Sequence, residues 1–368
     1  MRVPALVILA ILFISAPAMG QRLEVPDTGP GRLKAERVRY DARTQTFYAE
    51  GNVMLSIGDL VVEAPQLRVD QRRRTVQATG GVVIRQPGTV LRGRELLYEI
   101  SPRLAHVSGD VRFEQDGTTM AAGRMTLNIG AQVVQSRDGV RLAREGTTVT
   151  GDEMVAYLST RRVEVAGRAV LVRPAAVPST TQDRAARTLA AQDTRITAER
   201  LRFGWDANEA EAEGTVVLTQ PDKTARAGKI VYSEARGVIE LVGSVEIEQR
   251  SGKWLVEGGV VKKPRDAEGA KALAAPVRLW SDRLVVRLET RDMQADGRVK
   301  VEQDGRLATG DRATYTERDQ TIIVSGNVRM READGSWLRA DKVIIAIADE
   351  TFEATGNVET EFTLTRGK

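Results

Sequence analysis

The sequence predicts an all-β protein built from ten two-strand repeats of about 29 residues. Three observations carry that prediction. First, a small or apolar residue, one variable residue, Gly, a polar residue and Val recur as "AEGNV" (49–53), "VSGDV" (107–111), "VSGNV" (324–328) and "ATGNV" (354–358). Their glycines stand at 51, 80, 109, 167, 214, 243, 297, 326 and 356; "SRDGV" supplies a tenth slot at Asp138, where the Gly comes one place late. Second, a marker of the form "AERVRY" (35–40), "AGKIVY" (227–232) or "ADKVII" (340–345) begins sixteen residues before every one of the ten slots. Third, of the forty positions two and four residues either side of the slots, thirty-eight are apolar, Ser136 and Thr360 being the exceptions. At the odd offsets only eight of forty are apolar. Period-two alternation is the mark of a half-buried strand, and repeats at a fixed period are the mark of a stacked architecture.

Each repeat therefore reads as a short marker strand followed by a Gly-centred strand of roughly eleven residues, such as "TFYAEGNVMLS". "RQPG" (85–88), "EQDG" (114–117 and 302–305) and "EADG" (332–335) close the long strands, since Pro-Gly and Asp-Gly suit tight turns. No repeat offers a helical period of useful length. Because the alternation continues through the Gly, each Gly is assigned to the interior of its strand and to the inward row. A strand-interior Gly marks a bend, a bulge or a close backbone approach. Ten in register predict that every long strand bends at one height, folding the sheet into two facing leaves. At Asp138 a local bulge built on Asp-Gly is the preferred reading.

Residues 1–20 carry one Arg, an apolar run from Val3 to Ala16 and small residues before Gln21. They read as a cleavable signal peptide, with an uncleaved inner-membrane anchor as the alternative. The chain has no Cys, so it holds no disulfide and no thiolate metal site. Two spacings break the rhythm, at 174–193 and at about 252–276, both rich in Ala, Pro and charge. The first divides the chain five repeats against five. The preferred organisation is thus a first domain over 21–173, a linker over 174–193 and a second domain over 194–368; one continuous ten-repeat solenoid is the alternative.

Little points to catalysis. With 54 Lys and Arg against 50 Asp and Glu, scattered along the chain, no nucleic-acid stripe stands out. His106 is the only histidine and falls on an outward row, so neither a His-based triad nor a His cluster for metal can be assembled. The acids Glu50, Glu213 and Glu353 recur at outward repeat positions, which suits solubility and cross-strand pairing. No Gly-rich loop leads into a helix, so no phosphate loop is read. Trp205, Trp254, Trp280 and Trp337 all lie in the second half and read as packing residues. The chain is read as a non-enzyme with no cofactor and no metal.

The stretches "AERVRYDARTQTFYAEGNVML" (35–55) and "ADKVIIAIADETFEATGNVET" (340–360) resemble the OstA-like (LptA) family of periplasmic lipopolysaccharide-transport proteins. The resemblance runs over nearly the whole chain beyond residue 20, as two such domains in tandem. It implies an open, V-shaped antiparallel β-jellyroll whose interior shelters lipid A acyl chains. It also implies head-to-tail association through sheet ends and a place in outer-membrane biogenesis, between the two membranes. The residues read inward, and so as lipid-lining, are Phe47, Val53, Leu55, Val76, Val82, Ile84, Val111, Phe113, Val216, Leu218, Ile239, Val245, Ile247, Val299, Val328, Phe352 and Val358. Gly51, Gly80, Gly109, Gly167, Gly214, Gly243, Gly297, Gly326 and Gly356 are the structural glycines. The expected partners are lipopolysaccharide, transport proteins at both membranes reached by end-strand pairing (with "EFTLTRGK" as a docking strand) and a second copy of the chain; nucleic acid is not expected. A polymerising β-solenoid or adhesin with a filled core is the alternative, and a β-helix polysaccharide enzyme is a weaker third.

Overall fold

The computed structural model describes residues 32–115, 117–144, 146–175, 193–204, 209–233, 235–250, 275–346 and 351–362. The leader, both insertions, Trp205, Trp254 and the last six residues lie outside them. Every regular element among the described residues is a β-strand. The chain divides into two compact units, one holding Ile14–Pro174 and Glu199–Ala207, the other Ala175–Ala198 and Asn208 onward.

The N-terminal unit begins with β1 (Arg32–Lys34), β2 (Arg37–Asp41), β3 (Thr46–Ile57), β4 (Leu60–Asp70), β5 (Thr75–Gln86) and β6 (Thr89–Glu99). It continues with β7 (Leu104–Gln115), β8 (Thr118–Asn128), β9 (Val133–Arg137), β10 (Val140–Arg144), β11 (Thr147–Gly151), β12 (Glu153–Tyr157) and β13 (Arg162–Arg173). The strand β14 (Thr194–Gly204) contains the division between the units. The C-terminal unit follows with β15 (Glu209–Thr219), β16 (Lys223–Ser233), β17 (Val238–Gln249), β18 (Val277–Arg287) and β19 (Met293–Gln303). It ends with β20 (Arg306–Thr316), β21 (Thr321–Arg331), β22 (Trp337–Ala346), β23 (Thr351–Thr355) and β24 (Glu359–Glu361).

Consecutive strands pair antiparallel, in a meander from β3 to β8 and again from β15 to β22. The short elements are halves of long strands. β1 and β2 lie end to end along β3, β9 and β10 along β8, and β23 and β24 along β22. Tight turns join the strands where the sequence places them: Asp304 and Gly305 both take positive φ, +48° and +76°, between β19 and β20. That pair of values suits the right-handed twist of the strands it joins. The marker strand is not short. β4, β6 and β16 each have 11 residues, because the strand runs on past the marker to the turn before it.

Every long strand is interrupted at the same height. On β3 the ladder passes from Glu50↔Gln66 to Val53↔Ala64, so Gly51 and Asn52 together face Pro65 alone. The same two-against-one step recurs on β15, β17, β19 and β21. This is a β-bulge, which bends its strand and strengthens the local twist. The Gly takes φ between +73° and +90° in each repeat, and the residue after it is left-handed too, as in Asn52 (+47°) and Arg298 (+47°). At the tenth slot the order is inverted: Asp138 has φ +65° and Gly139 +79°, and they separate β9 from β10.

Candidate functional site: the apolar interior

The two strand types cross the bend in different ways. On a Gly strand the buried residues flanking the bulge are four apart, as Leu241 and Val245; on the neighbouring marker strand they are three apart, as Ser281 and Leu284. Four residues on the outside of a corner match three on the inside. Both leaves therefore keep their apolar rows facing the same interior. The first marker position lies on the inside of the corner and is small for that reason. A Cβ on Gly310 would come within 2.7 Å of Val324 Cγ1 and 3.3 Å of the Ser325 carbonyl.

The bulge glycines are not on the inward row, which corrects the sequence reading. None is buried, and a Cβ added to Gly326 would meet Cβ and Cγ of Asp311 at 2.8 Å, on the solvent side of the sheet. The left-handed Gly-polar pair turns the chain outward, so parity counted along the sequence survives while the Gly itself points away. A latch closes over it. The polar residue after the Gly binds an acid sixteen residues earlier: Asn327 donates to Asp311 (3.1 Å), Asn357 to Asp341 (2.9 Å), and Arg298 Nε to Asp282 (3.0 Å). Arg168 Nη2 donates to Asp152 at 2.6 Å, and Arg94 pairs with Asp110 in reversed polarity. Hydrogen bonds from the guanidinium hold the Asp152 and Asp282 carboxyls below the usual range, and the same contact with Arg124 lowers Asp138. Sequence reasoning used the sixteen-residue offset to find the repeat and missed the latch that the same offset encodes.

Most of the residues assigned to the interior are buried there. Val53, Val76, Val82, Val111 and Phe113 are buried in the N-terminal unit, and Val216, Leu218, Ile239, Val245, Ile247, Val299 and Val328 in the C-terminal unit. Phe47, Leu55, Ile84 and Phe352 are half-buried. Val358 is not inside: it is 49% exposed, in the break between β23 and β24, where no further strand among the described residues covers it. Ser136, one of the two polar exceptions, is buried with its hydroxyl 3.6 Å from Met120 Sδ; Thr360, the other, is exposed.

Side chains leave little room around two voids enclosed by described residues, one in each unit. Val299, Val301, Ala308, Ala313, Ile322, Val324 and Ile345 surround a void of about 20 Å³. Phe113, Met120, Met125, Leu127, Val134 and Ala156 surround one of about 10 Å³. Each is of the order of a single water, so neither takes an acyl chain while the leaves stay closed. One end of the interior is polar: Gln220, Lys223, Gln249 and Gln303 are buried at the hairpin ends, and Gln220 Nε2 donates to Thr194 Oγ1 at 2.9 Å. Burial pushes the Lys223 ammonium below its ordinary range, with Asp222 3.9 Å away as a weak opposing influence.

The remaining singled-out residues are structural in their surroundings. His106 on β7 lies with Nδ1 3.1 Å from Thr126 Oγ1 and Nε2 3.2 Å from Glu99 Oε1. Trp280 carries the Lys300 ammonium 4.4 Å above its ring, and Trp337 donates to Glu361 at 2.8 Å. Glu50 pairs loosely with Arg37 at the surface.

An all-β repeat protein with an apolar interior in each unit and a bend line of bulges is the class of molecule these residues define. Residues 32–133 match the family model for the LptA/(LptD N-terminal domain) LPS transport protein, and residues 105–170 that for lipopolysaccharide-assembly, LptC-related. The two matches together span residues 32–170, under half of the chain, and mark that stretch as similar to OstA-like lipopolysaccharide-transport domains. No curated protein matches the chain. A solved structure of LptH, the LptA homologous periplasmic component of the lipopolysaccharide transport device of Pseudomonas aeruginosa, is similar at 16% identity. It covers 30% of this chain and 82% of its own, with a TM-score of 0.28. The WD40 domain of SCAP from fission yeast is similar at 8% identity, over 93% of this chain and 90% of its own, with a TM-score of 0.14. Neither score is high enough to extend the comparison beyond the family models.

Proposed function

We propose that this chain is a periplasmic component of lipopolysaccharide transport, working as two OstA-like domains in tandem, which takes acyl chains into its apolar interior and passes them on. The observation that carries this reading is the inward apolar row. It recurs on successive strands within each unit and becomes accessible at the first strands, where Tyr40 and Phe47 pack at 4.5 Å and Leu33, Ala35 and Leu55 are only partly covered. Each methylene moved out of water contributes about 0.8 kcal/mol. One fourteen-carbon chain therefore represents roughly 10 kcal/mol gross, too much to release into water at each step. Transfer then runs between similar environments, and the leaves separate to admit the chain. Among the described residues the terminal strands are paired on one side only, which suits pairing with a partner's sheet or a second copy. No catalytic step is assigned.

Photo-crosslinking tests this. A photoreactive residue at Val82 or Ile247 is expected to capture lipid in cells that make lipopolysaccharide, and purified protein to carry a co-extracted amphiphile visible by mass spectrometry. Crosslinks confined to protein at both sites, with no bound amphiphile, would favour the second reading, a structural β-solenoid with a filled core. The small voids around Val299 and Met120 are the observation on that side. Deleting residues 361–368 is expected to weaken end-to-end assembly and leave the monomer folded; unchanged mass by light scattering counts against end-strand pairing.

A further inference from the structure

We propose that the turns at one end of the N-terminal unit form a docking face for an anionic lipid bilayer. The turn between β2 and β3 carries Arg43, and the turn between β4 and β5 reads Gln71-Arg72-Arg73-Arg74. All four arginines are exposed. The two turns are neighbours, joined by a hydrogen bond from the Gln71 amide to the Gln45 carbonyl at 3.1 Å, and the next turn is joined in the same way by Ile100 N–H to Arg74 O at 2.9 Å. A ladder of hairpin ends thus places four exposed arginines in two adjoining turns.

Four arginines face two nearby acids, Asp41 and Asp70, so a positive excess remains at this end. Arg43, Arg72, Arg73 and Arg74 have no carboxylate partner among the described residues. The acids at this end are engaged elsewhere. Asp41 accepts the amides of Arg43 (2.9 Å) and Thr44 (3.2 Å), Asp70 accepts the Arg73 amide (2.9 Å) and pairs with Arg68 (3.4 Å), and Glu99 faces His106 at 3.2 Å. Three residues before Arg43, at the end of β2, Tyr40 is 48% exposed while its ring packs against Phe47 at 4.5 Å. Amphipathic aromatic rings beside arginines are the composition of a membrane-interface belt. Guanidinium groups read phosphate through paired N–H donors.

The repeat supplies an internal control. The corresponding turns of the C-terminal unit, 288–292 and 317–320, carry Glu289, Asp292, Glu317 and Asp319 against Arg291 and Arg318. The fold alone therefore does not demand arginine at this end. A run of three exposed like charges costs stability by mutual repulsion, and a phosphate-rich surface removes that cost.

Vesicle flotation with the full chain tests the proposal, using phosphatidylcholine vesicles with and without about a third phosphatidylglycerol. The chain is expected to partition more strongly into the anionic vesicles, and the preference to weaken as salt shortens the Debye length. Each arginine at an anionic surface contributes about fivefold. R43Q/R72Q/R73Q/R74Q is therefore expected to lower anionic partitioning by roughly several hundredfold, while R318Q/R329Q in the other unit leaves it unchanged. The four positions are exposed in turns, so an unaltered melting temperature checks that the variant folds. Equal partitioning into both vesicle types, or a quadruple variant that binds like the wild type, overturns the proposal. So does retention on heparin without vesicle binding, which would assign the face to a soluble polyanion. None of these readouts depends on acyl-chain uptake, so this proposal and the transport reading fail separately.

Discussion

Leu241 and Val358 fall on the inward row of two different repeats, yet Leu241 is fully buried and Val358 is 49% exposed. Leu241 on β17 has β16 on one side and β18 on the other, pairing with Ile230 and Leu284. Val358 lies where β23 and β24 pair only with β22, and nothing described flanks them beyond. Identical patterning thus yields different burial, because the pattern fixes which face a side chain takes and the neighbouring strands fix whether that face is covered. A protein that must admit an apolar ligand gains from this gradient: the centre holds the fold, and the ends remain accessible.

The largest expected effect breaks that contrast directly. Leu241→Ala removes a fully buried side chain in a filled interior, and such substitutions cost about 2–5 kcal/mol, the upper part of the range applying where the site cannot collapse. Val358→Ala is expected to cost under about 0.5 kcal/mol, as for other surface changes. Urea melts of the two variants check it. Similar costs would show that the terminal strands are as well packed as the centre, leaving no accessible end for a ligand.

How much of this was legible in the sequence follows from the same contrast. Alternation around the Gly slots placed Ile239, Leu241, Val245 and Ile247 on one face correctly, since period-two patterning is a local property of the chain. Burial at Val358 was misjudged because coverage depends on strands that a local pattern does not count. The outward turn of Gly51 was hidden for another reason: two left-handed residues advance the chain by two while restoring the original face, so parity shows no slip. The marker "A-x-x-L" held the missing information. Ala64 and Leu67 are both buried although three apart, an interval that a straight strand forbids. The closed interior was not legible at all, because side-chain filling depends on how near the two leaves approach.

A second contrast lies between two glycines of one hairpin. Gly326 (φ +77°) lies in the bulge of β21, where an added Cβ collides with the Asp311 side chain; Gly335 (φ +91°) lies in the following turn with open space around it. Gly335→Ala bears only the cost of a left-handed alanine, about 1 kcal/mol. Gly326→Ala adds displacement of Asp311 from its 3.1 Å bond with Asn327, and about 2 kcal/mol or more is expected in total. Equal losses in thermal melts would mean that the latch adjusts freely and does not fix the bend.

The smallest expected effect concerns the latch charge itself. Asp282 and Arg298 are exposed partners, so their coupling is weak and screened by salt. The Asp282 carboxyl is nonetheless lowered from its ordinary value of 3.8, first by the hydrogen bond from Arg298. A carboxyl whose pKa is lower folded than unfolded stabilises the protein above its unfolded value and loses that contribution as pH falls through the folded one. Asp282→Asn is therefore expected to melt slightly below the wild type near neutral pH, and the gap to close as the pH is taken from about 4 downward. A gap that stays constant from neutral to acid pH in Asp282→Asn would mean that the latch acts through its shape, with the charge contributing nothing to the bend.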